Sequence, residues 1–354
     1  MLVHDAGAAT MIARPERHFA RGIHTAWGAR VGSGGTAAAG DQDPQMTERI
    51  LVVGEALVDI VHRTDGTVEE YPGGSPLNVA IGLARLGHPV HFAARFGDDL
   101  HGHTLRAHLE REPHITLTPG TTAAAATSTA TATLDESGAA SYDFDLVWDV
   151  AGALDAAPTG HLHTGSIAAT LMPGADAVLD AASRGHESGT VSYDPNARPS
   201  LMGDPADARA RVEAVAAYSH VVKASDEDLA WFYPDLQLDD AMRHLGDLGV
   251  ALVVVTRGKD GCRVHVPATG EWTDVPPVEG VVVIDTVGAG DSFMSGLLSG
   301  LLDADLLGSP EAAQALGRAT LRDVMAAITR ATTCAAMTVS RAGANPPTRA
   351  ELPH

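Results

Sequence analysis

The sequence predicts an α/β fold in which helices cover both faces of a mostly parallel central sheet. Short apolar, β-branched runs such as "TVSYDP", "HVVKAS" and "ALVVVT" recur along the chain, and this composition suits strands that are buried on both faces. Amphipathic segments such as "DPADARARVEAVAAY" and "LDDAMRHLGDL" lie between them. This alternation is typical of repeated strand–helix–strand units.

The elements can be taken in chain order. "ILVVGEALVDIV" predicts a buried strand that breaks at Gly54, and "SPLNVAIGLARLG" predicts a helix that ends at Gly87. Alternating residues around "DESG" predict a hairpin outside the parallel sheet. With the segment after the first strand, this hairpin would form a small β lid from insertions near residues 60–72 and 114–146. "VVVID" predicts a last strand, followed by the helix "SFMSGLLSGLL".

The N-terminal part differs from the rest. Residues 1–46 have no sustained hydrophobic period and end in a Gly/Ala/Asp/Pro stretch. We predict a disordered extension there and one folded domain over residues 47–354. An apolar strand begins just after Met46, so translation from Met46 and translation from Met1 are both open.

Composition excludes several classes of protein. The chain has 354 residues, 45% of them hydrophobic, and a formal net charge of −21, which is typical of a globular protein that binds neither nucleic acid nor anionic membranes. The two cysteines, Cys262 and Cys334, are too few for a disulfide framework. The chain has no apolar run of about 18 residues and no signal-peptide core. We therefore expect a cytoplasmic protein.

Common functional motifs are missing. "RGKDG" does not complete the P-loop pattern, and "IDTVGAGDSFMSGLL" lacks the third glycine of the dinucleotide fingerprint. The pairs His101–His103 and His161–His163 have no neighbouring carboxylate or cysteine at ligand spacing. We expect these histidines at the surface or at strand ends.

The stretch "DTVGAGDSF" can bind an anion. Gly288, Ala289 and Gly290 have little or no side chain, so their N–H groups can lie open at a helix N-terminus, where the helix dipole favours negative charge. Asp291 follows at once and is placed to accept a proton. The alternative is structural: the glycines form a turn, and Asp291 or Ser292 caps the helix.

Two signatures suggest a family. "DTVGAGDSF" resembles the C-terminal signature of the ribokinase-like (PfkB) carbohydrate kinases, and "GGSPLNVAIGLARLG" resembles their N-terminal Gly-Gly signature. Further similar segments are "VGEALVDI", "RFGDDLHG", "YDPNAR", "VKASDEDL", "VVTRGKDG" and "SRAGANPP", so the resemblance runs from about Ile50 to Pro347. It implies the ribokinase-like three-layer sandwich with a small β lid.

The resemblance also implies roles for individual residues. Asp291 would be the general base that deprotonates a sugar hydroxyl, and Gly288, Ala289 and Gly290 would form the anion hole for the transferred phosphoryl group. The sugar would bind to Asp59, Gly73, Gly74 and Asn78. Carboxylate and amide groups suit vicinal hydroxyls, and glycine allows the backbone to approach closely.

ATP and Mg²⁺ are the implied cofactors. The segment that carries Asn-x-x-Glu in the family reads Ser225-Asp226-Glu227-Asp228 here. Ser225 and Asp228 keep oxygen ligands for phosphate and water-mediated Mg²⁺, although Ser225 also suits a helix N-cap. The implied nucleotide-binding residues are Ser225, Asp228, Thr256 and Gly258. The family further implies a K⁺ site with Asp285 as a ligand, for which a structural strand-end role is the alternative.

The substrate is implied less directly. The quoted segments are most similar to the fructokinase branch, so D-fructose converted to fructose 6-phosphate comes first. Ribose, 2-keto-3-deoxygluconate and nucleosides stay open, because specificity depends on a few pocket contacts. A non-catalytic sugar-binding regulator is the alternative from another class of function. The exposed strands of the lid would also allow a homodimer.

Overall fold

The computed structural model describes residues 50–134, 140–154 and 160–353. The predicted extension (1–46) and the "DESG" turn lie outside these ranges.

The strands of the described residues are β1 (Ile50–Val53), β2 (Leu57–His62), β3 (Val68–Gly73), β4 (Val90–Ala93), β5 (Ile115–Leu117), β6 (Thr129–Leu134), β7 (Ala140–Asp145), β8 (His161–Gly165), β9 (Thr190–Asp194), β10 (Val221–Ser225), β11 (Leu252–Thr256), β12 (Cys262–Val266) and β13 (Glu271–Val275). The α-helices are α1 (Ser75–Arg85), α2 (Leu100–Leu109), α3 (Ala151–Leu154), α4 (Gly174–Ser188), α5 (Pro199–Met202), α6 (Pro205–Ala216), α7 (Asp226–Phe232), α8 (Leu238–Asp247), α9 (Ala289–Asp303), α10 (Pro310–Leu316) and α11 (Leu321–Val339).

Nine strands form the central sheet, in the order β13-β12-β11-β10-β9-β8-β1-β4-β5. The strands from β11 to β5 are parallel, while β12 and β13 add antiparallel pairs at one edge. One apolar core packs this sheet against α1, α9 and α11, and a second core packs its other face against α4, α6 and α8. The predicted three-layer α/β architecture is confirmed. Within the described ranges, no helix is both long and apolar enough to cross a membrane.

A second sheet contains four strands in the order β3-β2-β6-β7. As predicted, β6 and β7 pair antiparallel, from Thr129 opposite Asp145 to Leu134 opposite Ala140. The predicted insertion near 114–146 is too long at its start, because β5 pairs with β4 in the central sheet. The start of the insertion was predicted wrongly because a short apolar strand has the same sequence pattern in either sheet.

The prediction that "VVVID" is a strand is wrong. Residues 282–285 have no strand conformation, and the side chains of Val282, Val283 and Ile284 are 74%, 61% and 65% exposed. The N–H groups of Ile284 and Asp285 instead donate to the Val339 carbonyl at the end of α11, at 2.8 and 3.2 Å. The central sheet already ends at β13, so this β-branched run pairs with none of the described strands.

Close packing of α1 on α9 places the two helix N-termini side by side. A Cβ atom at Gly82 would lie 2.2 Å from the Ser295 hydroxyl oxygen and 2.6 Å from its Cβ, so the two helices meet where one has no side chain. The predicted end of α1 is confirmed, since α1 stops at Arg85 and Gly87 follows with a φ of 89°. The start of α1 thereby faces the start of α9.

Candidate active site

Asp291 lies in the first turn of α9 and is 9% exposed. The Ser75 hydroxyl donates to its Oδ1 at 2.6 Å, and the Asn78 amide donates to its Oδ2 at 2.8 Å. Both donors belong to the first turn of α1. These bonds fix the carboxylate and leave each oxygen one free lone pair, so a substrate hydroxyl can still donate to it.

The turn before Asp291 has the form of an anion site. Gly288 is the left-handed N-cap of α9, with a φ of 74°, and a Cβ atom there would lie 2.6 Å from the Cβ of Ala344. The Ala289 N–H donates to the Thr286 carbonyl at 3.2 Å. The first full helical bond is made by the Ser292 N–H. The amides of Gly290 and Asp291 therefore come before the helical ladder and are oriented toward the helix N-terminus.

Asp59 and Gly73 lie on the paired strands β2 and β3 of the second sheet, and Gly74 follows as the N-cap of α1. Asp59 is half-buried, and a Cβ atom at Gly73 would lie 2.1 Å from its Oδ2. Burial raises the pKa of Asp59 to about 6, and the Arg198 guanidinium opposes this. Gly74 has a φ of 120°, and a Cβ atom there would lie 2.3 Å from the Glu55 carbonyl oxygen. Asn78, the fourth residue predicted to bind sugar, donates to Asp291, and its sugar contact stays a prediction.

Glu55 is a buried carboxyl for which no sequence motif indicates a role. Its side chain is 7% exposed, and its Oε2 has no hydrogen-bond partner among the described residues. Burial raises the pKa of Glu55 to about 7, while the Ser166 hydroxyl and the Arg198 charge lower it and the Asp291 carboxylate raises it. Glu55 lies in the connection between β1 of the central sheet and β2 of the second sheet, and its carboxyl interacts with the charges of Arg198 and Asp291.

Ser225 and Asp228 form a capping box at the start of α7. The Ser225 hydroxyl accepts from the Asp228 N–H at 3.0 Å, and Asp228 Oδ2 accepts from the Ser225 N–H at 2.8 Å. Asp228 Oδ1 accepts from the Ala197 N–H at 2.8 Å. The helix-cap alternative is therefore observed. A role of these residues in binding Mg²⁺ or phosphate stays a prediction.

Thr256 and Gly258 lie at the same edge of the sheet. Thr256 ends β11 opposite Ser225, and its hydroxyl donates to the Ala224 carbonyl at 3.3 Å. Gly258 begins an exposed 3₁₀ turn, Gly258–Asp260. Carboxyl ends of parallel strands are where open α/β sheets bind ligands.

Lys223 and Asp194 form a buried ion pair that the sequence analysis missed. The Lys223 Nζ lies 2.6 Å from Asp194 Oδ2 and 3.3 Å from the Gly290 carbonyl oxygen, and the two residues are 4% and 0% exposed. Asp194 Oδ1 has no partner among the described residues. Burial raises the pKa of Asp194 to about 6, and Lys223 opposes this. Although burial favours the neutral amine, the carboxylates of Asp194, Asp291 and Asp228 keep the pKa of Lys223 above its usual value.

Asp285 connects two loops beside the anion turn. Its Oδ1 accepts from the Val287 N–H at 3.0 Å, and its Oδ2 accepts from the Gly343 N–H at 2.8 Å. These bonds lower the pKa of Asp285. The residue does not end a strand, so the strand-end alternative is wrong. Its role as a K⁺ ligand stays a prediction.

The paired histidines divide into two groups. His161 and His163 lie in β8 and are fully buried, and both contact the Ser192 hydroxyl at 2.9 Å. Surface positions are therefore excluded for this pair. His103 is exposed beside Asp98. In the part of the chain that the structure describes, no group of three His, Cys, Asp or Glu side chains is arranged to hold a metal ion.

A buried carboxylate beside a turn of open amides, at the carboxyl ends of a parallel sheet, is an arrangement that suits phosphoryl transfer to a small molecule. Residues 47–351 match the profile of the pfkB family of carbohydrate kinases. The chain belongs to this family.

Known proteins similar to this chain include several fructokinases. The Klebsiella pneumoniae fructokinase is 35% identical over 269 residues, which cover 72% of this chain and 85% of that protein. The crystal structure of a Xylella fastidiosa fructokinase with bound ATP has a TM-score of 0.70 at 25% identity, covering 84% of this chain and 94% of that one. A Vibrio cholerae O395 fructokinase double mutant in its fructose-, ADP- and potassium-bound form has a TM-score of 0.67 at 27% identity, with the same two coverages.

Proposed function

We propose that this carbohydrate kinase transfers the γ-phosphate of ATP to D-fructose and forms fructose 6-phosphate. The observation that carries the proposal is the Asp291 carboxylate, fixed by Ser75 and Asn78 beside the amide turn of α9. Fructose as the substrate is supported by the similar fructokinases, one of which has fructose and ADP bound.

The geometry suggests how the reaction proceeds. The sugar hydroxyl donates its proton to Asp291 as its oxygen attacks the γ-phosphorus. The new bond joins the sugar oxygen to phosphorus, the bond from phosphorus to the β,γ-bridging oxygen breaks, and ADP leaves. The amides of Gly290 and Asp291 are positioned to stabilise the charge on the transferred group without reorganisation.

The sugar is proposed to lie between Asp59 and Asp291. Asp59, Gly73 and Gly74 supply a carboxylate and close-approaching backbone for the hydroxyls. The four-stranded sheet that carries Asp59 would act as a lid, because a covered site excludes water that would otherwise hydrolyse ATP. β3 is an edge strand of this sheet, with Val68 and Tyr71 about half exposed. This edge is the surface we propose for a homodimer.

The nucleotide is proposed to bind beside the same turn. Thr256 and Gly258 would face the phosphates or ribose, and the exposed apolar residues 282–284 would cover an apolar base. The unpartnered Asp194 Oδ1 fits the oxygen chemistry that Mg²⁺ or its bound waters require. When bound, Mg²⁺ neutralises phosphate charge. Asp285, between the two loops, would hold K⁺, which is bound in the similar Vibrio cholerae enzyme.

We propose a cytoplasmic location, which is supported by the two free, buried thiols of Cys262 and Cys334.

The test is direct detection of ADP with MgATP and a panel of fructose, ribose, 2-keto-3-deoxygluconate, adenosine and fructose 6-phosphate. Fructose should give the highest kcat/KM, and Asp291→Asn should lower kcat by about 10²- to 10⁴-fold while fructose still binds. The matched control is Asp247→Asn on the exposed side of α8, which should leave kcat and fructose binding unchanged.

Each other outcome points elsewhere. Preference for another sugar or for adenosine would refute fructose as the substrate and leave the proposed mechanism standing. Fructose binding without ADP would favour the sugar-binding regulator. An Asp291→Asn enzyme with wild-type kcat would refute the general base.

A further inference from the structure

We propose that Lys223 is a positioning residue of the phosphoryl-transfer site, which orients the first turn of α9 through the carbonyl of Gly290. The inference rests on the proposed kinase function. It adds a residue that neither the amide turn nor the general base accounts for.

The contacts place Lys223 directly behind the anion turn. Its Nζ lies 3.3 Å from the Gly290 carbonyl oxygen, and a Cβ atom at Gly290 would lie 3.2 Å from the same Nζ. Asp194 holds the ammonium from the other side at 2.6 Å. Because an ammonium has three N–H donors and two of these contacts are made, the group can bridge the β9–β10 layer and α9.

The contact between Lys223 and the Gly290 carbonyl affects the Asp291 amide, because both groups belong to one peptide plane. The Gly290 carbonyl and the Asp291 N–H belong to the same planar unit and point in opposite directions. A donor that fixes the carbonyl therefore fixes the direction of an amide in the proposed anion hole. The carboxylate of Asp291 lies on the same residue, so the general base is oriented by the same contact.

The charges around Lys223 support a functional role. It faces carboxylates from three elements: Asp194 on β9, Asp228 on α7 and Asp291 on α9. The fourth neighbour, His163 on β8, is kept neutral because burial and the Lys223 charge lower its pKa to about 3. A buried ion pair is weak support for stability, since apolar residues often replace one without loss. Lysine is also rare here, with Lys223 and Lys259 the two lysines of the 24 basic residues.

The variants separate positioning from folding. Lys223→Met keeps the side chain's length and removes the charge. We expect kcat to fall about 10²-fold, the cost of misplacing a reacting group by about 1 Å, with the Kd for fructose within about twofold of wild type. Lys223→Arg should recover part of kcat.

Because Asp194 is itself proposed to bind Mg²⁺, the double variant Lys223→Met/Asp194→Asn is assayed at saturating Mg²⁺. It removes both buried charges, so thermal stability should recover relative to Lys223→Met while kcat stays low. Recovery of kcat together with stability would refute positioning and leave a purely structural pair. The matched control is Arg330→Met, which breaks an ion pair with Asp303 at the far end of α9. It should lower stability and leave kcat unchanged.

A second measurement is independent of fructose turnover. Selective ¹⁵N-lysine labelling gives two Nζ signals, which Lys259→Arg assigns. We expect the Lys223 signal to shift when MgADP and aluminium fluoride are added, because the anion turn then carries charge. A wild-type protein that releases no ADP with fructose but shows this shift would refute the substrate and keep the inference. An unmoved Lys223 signal in a protein that phosphorylates fructose would overturn the inference alone.

Discussion

The interface between α1 and α9 makes a quantitative prediction for Gly82→Ala. The new Cβ atom would lie 2.6 Å from the Ser295 Cβ, whereas ordinary contacts begin at 3.4 Å, so the helices must separate by about 1 Å. Overpacking of this kind costs about 1–3 kcal/mol of unfolding free energy. Because Ser75 and Asn78 on α1 hold Asp291 on α9, the same displacement should lower kcat by about 10²-fold.

The assay is ADP release at saturating substrates, with unfolding followed in urea. Ser295→Gly removes both clashing atoms, so the double variant Gly82→Ala/Ser295→Gly should regain most of the lost kcat. Gly152→Ala is the control, since nothing lies within 4 Å of its added Cβ. Wild-type kcat in Gly82→Ala, or a double variant no better than the single one, would refute the link between helix spacing and the base.

Three further predictions concern the anion turn, a buried histidine and the loop aspartate. Gly288→Ala places a Cβ atom at a φ of 74° and 2.6 Å from Ala344, so it should cost at least about 1–2 kcal/mol in urea unfolding and lower kcat; unchanged values would contradict the strain. The folded pKa of His163, about 3, lies below its ordinary 6.5. The contribution of the neutral His163 ring to the free energy of unfolding is therefore present above pH 6.5 and lost as pH falls toward 3. Between pH 7 and 5, wild type should lose about 2 kcal/mol more unfolding free energy than His163→Gln; equal losses would refute a neutral buried ring. Titrated K⁺ should raise kcat in wild type and have no effect in Asp285→Asn; an equal response in both would exclude Asp285 as a ligand.

Local patterns predicted the elements whose partners are set by burial alone. The helix that begins within "GGSPLN" and the strands ending at Asp194, Ser225 and Thr256 are where the periodicity predicted them. The strands were predictable because both faces of a parallel sheet require continuous apolar runs. The strand prediction for residues 282–285 used the same apolar signal and was wrong. These β-branched residues fit a strand, but a strand also needs a free neighbour, and sequence does not show where a sheet ends.

The candidate site was predictable where a motif names a residue type and not where tertiary contact gives the role. "GAGD" indicated Asp291 and its amide turn directly. The hydrogen bond from Asn78 to Asp291 was not predicted, because only helix packing brings α1 against α9. Glu55 and Lys223 were passed over within quoted segments, since burial and an unpartnered oxygen are visible only in three dimensions. The scarcity of lysine was the one signal for Lys223 available in the sequence.

The hydrogen bonds that hold Asp291 join residues 216 and 213 positions apart in the chain. The contacts that fix the Asp291 carboxylate therefore form only when the last third of the polypeptide has docked on the first. A growing chain on the ribosome would have all four strands of the second sheet complete long before Asp291 could meet Ser75 and Asn78. During refolding, the return of activity would therefore report when α9 docks on α1, which we expect to be the last step of folding.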